Sequence, residues 1–203
     1  MKIGGESAGD DLERILGVHR AAPGASLILD GNGGLTAKDA IRLARELADR
    51  GVRPILFEQP VPRDDLGGLA EVARACGFPV AADESAASAK DVIRIAETRA
   101  AQVINIKPMK AGLVEAMEIA TVARAAGLGL MIGGMVEAKL AMSASACLAA
   151  GLGGFAFVDL DTPLFLAHDP FDGGYAQEGE RLDLTSITRG HGVVLRADLG
   201  LLA

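Results

Sequence analysis

The sequence predicts an α/β fold built on a parallel sheet, and three observations predict it. Short apolar runs recur along the chain, stretches of helical period separate them, and Gly, Pro or a polar residue bounds each run. A run of four or five residues is too short for a helix. Its unbroken apolarity marks a strand covered on both faces. Strict alternation of strand and helix implies right-handed crossovers. Two closures satisfy the pattern: an open doubly wound sheet, or a (β/α) barrel, which normally has eight strands and about 250 residues.

The elements follow in order. Met1-Lys2-Ile3 is a strand-like stub, cut short by Gly4-Gly5. A helix is expected over about residues 8–22, then a strand at 26–30 (SLILD). The next helix, 36–50, carries Ile41, Leu43, Ala44, Leu47 and Ala48 as its apolar stripe, and Thr36 with Asp39 resembles a capping box. Strands at 55–58 (ILFE) and 80–83 (VAAD) flank a helix at 64–76, which stops before Gly77. Ser88 is the expected N-cap of a helix at 88–98, followed by a strand at 103–107 (VINIK). A helix at 112–126 ends at Gly127 as its C′ residue. A strand at 129–133 (GLMIG), a helix at 136–150 and a strand at 155–159 (FAFVD) complete the series. With the stub, that makes seven strands. After Asp161 the pattern changes to a Pro/Gly/Asp-rich tail with two weak strand candidates near 182–185 and 192–195.

Composition narrows the functional classes. A chain of 203 residues suits one domain or slightly more, and it buries a sizeable core. Half of its residues are hydrophobic and only 3% aromatic, so that core consists of small aliphatic side chains. The 26 glycines are scattered rather than periodic, which excludes collagen and low complexity. The formal charge of −7 and the lack of a basic run argue against nucleic acid as a partner. Cys76 and Cys147 lack metal-ligand spacing and read as small core residues, consistent with a reducing cytoplasm. No apolar h-region or run of 18 apolar residues occurs, so neither a signal peptide nor a membrane span is expected.

The chemistry is written at the strand ends. Asp30, Glu58, Asp83 and Lys107 close four consecutive strands at intervals of 28, 25 and 24 residues, one βα unit each, and Asp159 closes the last with Asp161 beyond it. The C-terminal ends of parallel strands share one face, where active sites of such folds lie. Three carboxylates there repel one another unless a divalent cation neutralises them, and hard oxygen donors suit Mg²⁺. Asn32 is placed to orient a ligand or bound water. Lys2 and Lys107 would flank the metal, and a lysine partly desolvated beside a cation serves as a base at neutral pH. Two such lysines facing a metal-bound carboxylate could remove and return the proton α to it. Each of these residues also has a plain reading, as a helix cap or a solvated charge; their convergence on consecutive ends favours the functional one. Glu137 either supports the site from behind or is a charge at a helix N-terminus. Gly31, Gly33 and Gly34 follow no recognised phosphate-loop pattern, and His19, His168 and His191 form no triad pattern.

The segments Lys2-Ile3-Gly4-Gly5, Asp30-Gly31-Asn32-Gly33, Phe57-Glu58-Gln59-Pro60, Ala82-Asp83-Glu84-Ser85, Asn105-Ile106-Lys107-Pro108-Met109-Lys110 and Gly133-Gly134-Met135-Val136-Glu137 stand in order over nearly the whole chain. Together they resemble the barrel domain of the enolase superfamily, in its muconate-lactonising-enzyme subgroup. The resemblance implies a (β/α)7β TIM-like barrel over residues 1–161, truncated at the N-terminus with the first strand and capping domain missing. Residues 162–203 would form the tail that in the family returns toward the cap. It further implies Asp30, Glu58 and Asp83 as Mg²⁺ ligands, Lys107 as one acid/base lysine, and Lys2 as the second lysine of the subgroup's Lys-x-Lys motif. Asp159-Leu160-Asp161 is similar to the Asp-x-Asp with which dipeptide epimerases hold the substrate α-ammonium group. Two anions suit one cationic amine, so the pattern favours an epimerase of L-Ala-D/L-Glu type, acting on a dipeptide, over muconate cycloisomerase, o-succinylbenzoate synthase or N-acylamino acid racemase. A non-catalytic remnant and a Schiff-base enzyme using Lys107 are the competing readings. A sheet edge left by an absent strand favours self-association into a homo-oligomer, or instability.

Overall fold

A computed structural model describes residues 1–5 and 8–197. The chain divides into two compact units, Met1–Asn105 with Glu118–Gly129, and Ile106–Met117 with Leu130–Ala203.

In the first unit, α1 (Ala8–Ala21), β1 (Ile28–Asp30), α2 (Ala37–Asp49), β2 (Leu56–Glu58), α3 (Leu66–Ala75), β3 (Val80–Ala82), α4 (Ala89–Thr98) and β4 (Val103–Ile106, as far as Asn105) alternate as expected. β1, β2, β3 and β4 pair in parallel in chain order. The stub joins them: Ile3 N–H donates to Asp30 O and Asp30 N–H to Met1 O, each at 2.8 Å. Caps follow the local chemistry. The Thr36 and Ser88 hydroxyls accept from the amides of Asp39 and Asp91 at 3.2 Å, and the Asp65 carboxylate accepts from Gly68 N–H at 2.8 Å. The α2 stripe is buried at Ile41, Leu43, Ala44 and Leu47. Leu29, Leu56, Phe57, Val80 and Ile104 are fully buried, as strands covered on both faces require.

The second unit contains β5 (Gly129–Gly133, from Leu130 onward), α6 (Lys139–Leu152) and β6 (Phe155–Asp159), with β5 and β6 parallel. α5 (Pro108–Ala125) is broken at Gly112 (φ 84°, ψ 170°), so the predicted helix start is a boundary between a first turn and the helix proper. α6 begins three residues later than the periodicity predicts. Ala138, at its N-cap, has no capping side chain, and Asp169 accepts from Lys139 N–H at 2.8 Å instead. β6 departs from the expectation of a doubly buried strand. Ala156, Val158 and Asp159 are exposed, and among the described residues of this unit β6 pairs only with β5. A 3₁₀ turn at Thr162–Phe165 leads into the tail, where β7 (Phe171–Gly173) pairs antiparallel with β10 (Val193–Leu195), and β8 (Ala176–Glu178) with β9 (Arg181–Asp183). β7 and β8 carry no apolar alternation and were not legible as strands. Cys76 is buried as expected, with its thiol donating to Phe78 O at 3.0 Å, whereas Cys147 is only half-buried. No described helix is long and apolar enough to cross a membrane.

Candidate active site

The first unit gathers Lys2, Asp30, Asn32, Glu58 and Asp83 at strand ends. Asp30 and Glu58 are register partners on β1 and β2, and Asp83 directly follows β3. All three carboxylates are buried, at 7%, 1% and 2% exposure. The Lys2 ammonium donates to Asp30 Oδ2 and, at 2.9 Å, to Asn32 Oδ1. Asn32 N–H donates to Asp30 Oδ1 at 3.0 Å, a turn that holds Asn32 at φ 41°. One short loop thus orients both the lysine and the carboxylate it meets. The Lys2 side chain is 71% exposed in its ion pair, so the drying expected around it does not come from these neighbours.

Four further residues position this cluster and were not singled out from the sequence. Gln59, fully buried at φ 31°, accepts from Asp83 N–H at 2.9 Å and Ser85 N–H at 3.1 Å, and donates to Val61 O and Ser85 Oγ, both at 2.9 Å. It ties the end of β2 to the segment carrying Asp83. Asn105 donates to Glu58 Oε1 at 2.6 Å. Asp11, 1% exposed, accepts from Gly4 N–H at 2.7 Å and from Arg14 at 3.1 Å, while Arg14 also donates to Lys2 O at 3.1 Å. Asp11 and Arg14 therefore anchor the stub from α1. Gly31 is explained by packing: a Cβ there would lie 2.8 Å from Pro60 Cα, so this glycine serves close backbone approach.

The donor set fits a hard divalent cation in its chemistry. Three buried carboxylates end successive strands. Beside them Glu84 accepts from Asn32 Nδ2 at 3.2 Å through Oε1, while its buried Oε2 has no hydrogen-bond partner. Among the described residues no three acidic, imidazole or thiol groups form a closed metal-sized cluster. Two of the carboxylates are instead engaged by Lys2 and Asn105.

In the second unit, Lys107 follows β4 and is 7% exposed. Glu137, 8% exposed, accepts from Met135 N–H at 2.7 Å, and the Thr162 hydroxyl donates to Glu137 O at 3.2 Å. Glu137 thus braces the loop after β5 against the residue following Asp161. Asp159 and Asp161 are exposed, on either side of buried Leu160. A groove of about 510 Å³ runs between the start of α5 and α6, lined by Met109, Leu113, Val136 and Ala141 with Glu137 as its one charge.

The enolase C-terminal domain-like family model matches residues 1–199. An aromatic dipeptide epimerase from Herpetosiphon aurantiacus is 54% identical over 195 residues, covering 96% of this chain and 54% of that protein. The crystal structure of a mandelate racemase/muconate lactonizing enzyme from Roseiflexus sp. matches with a TM-score of 0.93 at 58% identity, over 96% of this chain and 57% of that one. A dipeptide epimerase from Cytophaga hutchinsonii, complexed with Mg and the dipeptide D-Ala-L-Val, matches with a TM-score of 0.90 at 30% identity, over 98% of this chain and 54% of that one. The chain spans about half the length of the curated relatives it matches.

Proposed function

Because the chain belongs to the enolase C-terminal domain-like family, we propose that the protein is a Mg²⁺-dependent epimerase that removes and returns the α-proton of a dipeptide. The observation that carries this reading is the Lys2 ammonium seated on Asp30, level with Glu58 on the neighbouring strand. A base beside a carboxylate pair that would hold a metal is what α-proton abstraction from a carboxylate substrate requires.

The roles divide as follows. Asp30, Glu58 and Asp83 would hold Mg²⁺. Bound there, the ion would supply positive charge for the substrate carboxylate and for the negative charge that develops as the α-proton leaves. Lys2, once it has given up its own proton, takes the α-proton, and Asn32 and Asp30 hold its Nζ in place. Lys107 delivers a proton to the opposite face, so one proton leaves, one arrives and the centre inverts. Asp159 and Asp161 take the α-ammonium group: two anions matched to one cation. A dipeptide as substrate is supported by the epimerases among the relatives, which include enzymes for aromatic and hydrophobic dipeptides.

The test is α-proton exchange in D₂O. With Mg²⁺ present, the expected result is deuterium at a single α-carbon, together with appearance of the epimer, for at least one member of a panel of aromatic, aliphatic and acidic dipeptides. A folded protein that incorporates no deuterium across the panel overturns the proposal.

A further inference from the structure

Tyr175 is the chain's one tyrosine, and among the described residues after Leu160 it is the one buried residue, at 3% exposure. Its neighbours in β7 and β8 are largely exposed, so this ring is where the tail is anchored. The phenol donates to Leu160 O at 3.3 Å, the carbonyl midway between Asp159 and Asp161. One contact is made on the ring itself, and two more hold the chain around it. The Lys139 ammonium lies 5.7 Å from its centroid, a cation–π distance. Lys139 N–H is capped by Asp169, which also accepts from Phe171 N–H at 3.1 Å. Gly174 lets the chain approach α6 so closely that a Cβ there would stand 2.2 Å from Ser143 Oγ.

We propose that Tyr175 is a positioning residue that sets the direction of the Asp159 and Asp161 carboxylates by holding the carbonyl between them. The inference rests on the proposed function, in which those carboxylates receive a substrate ammonium. Asp159 closes β6 and Asp161 lies just beyond it, both exposed to solvent. Anchoring the peptide unit between them lowers the ordering needed when the cation binds. Burial raises the phenol's pKa, and the nearby charges of Asp169 and Asp161 add to it, so the donor stays protonated.

The test uses Tyr175→Phe, which keeps the ring, its burial and its place under Lys139. Two measurements are made on the folded protein. Amide hydrogen exchange over residues 159–165 is expected to quicken about fivefold, as the loss of one neutral hydrogen bond implies. KM for a dipeptide is expected to rise by a similar factor with kcat little changed, while affinity for the N-acetylated dipeptide, which lacks the ammonium, stays the same. Unchanged exchange overturns the positioning role whatever the substrate data show. Faster exchange with both ligands weakened alike overturns it too, because the loss is then general. Faster exchange in a protein whose wild type does not distinguish free from acetylated dipeptide removes the ammonium site from the proposed function, and with it the purpose assigned to Tyr175.

Discussion

Replacing Gln59 with Leu tests whether one buried amide holds Asp83 in place. The swap conserves size and burial and deletes four hydrogen bonds of 2.9–3.1 Å. Ser85 Oγ keeps its bond to Arg63 O at 2.7 Å, so three groups lose a partner: the amides of Asp83 and Ser85 and the carbonyl of Val61. A buried polar group left unsatisfied costs about 1–3 kcal/mol. Taking the lower part of that range for each gives about 3–5 kcal/mol, a large share of the roughly 5–15 kcal/mol that holds a folded protein together. Urea unfolding of wild type and variant measures the difference directly. At about 2–4 °C per kcal/mol for a chain of this size, calorimetry should find the midpoint lowered by roughly 10 °C. A loss below about 1 kcal/mol for Gln59→Leu, with Asp83 and Ser85 amides exchanging no faster than in wild type, would mean that other contacts hold Asp83 in place.

Three other perturbations probe separate links. Asp11→Ala strips the buried acceptor from Gly4 and Arg14; a charged hydrogen-bond partner of this kind is worth about 1.5–3 kcal/mol. Denaturant titration should show that loss, and a change under about 0.5 kcal/mol means that the stub is held by other contacts. Mg²⁺ should raise the melting temperature of the wild type, by the equivalent of about 2.7 kcal/mol at a hundredfold excess over Kd, and Glu58→Gln or Asp83→Asn should abolish most of that rise. Equal shifts in wild type and variants would place the ion elsewhere. Burial pushes the Cys76 thiol above its ordinary 9.0, because desolvation disfavours the thiolate. A folded-state pKa raised above the unfolded value means that the contribution is fully present below pH 9 and is lost as pH climbs past it. Unfolding curves between pH 8 and 10.5 should therefore decline less steeply for Cys76→Ala than for the wild type.

Much of the first unit was readable in order along the chain. Apolar runs bounded by polar residues place β1 to β4 within a residue or two, because a strand covered on both faces tolerates nothing else. Thr36 and Ser88 cap the helices predicted from them, because an N-cap is a contact between residues three apart. The same locality explains why Asp30, Glu58, Asp83 and Lys107 were visible: each is the polar residue that ends a run. The α6 boundary was misplaced for the opposite reason. Its cap comes from Asp169, thirty residues downstream, and nothing near Val136 marks the delay.

Local pattern therefore determined the alternation of elements, the residues at the strand ends and, through six ordered segments, the family. The tertiary structure decided which of those residues meet and what holds them. Lys2 reaches Asp30 across 28 positions, Asn105 reaches Glu58 across 47, and Tyr175 finds the carbonyl of Leu160 across 15. Gln59 is polar and follows Glu58 in the sequence, yet its role depends on two amides and a hydroxyl delivered by another strand end. The physical reason is common to these cases. Burial periodicity and capping act over a few residues and leave a mark in composition, whereas a buried hydrogen bond between distant groups takes its partner from whatever the fold brings near, most often a backbone atom that every residue carries.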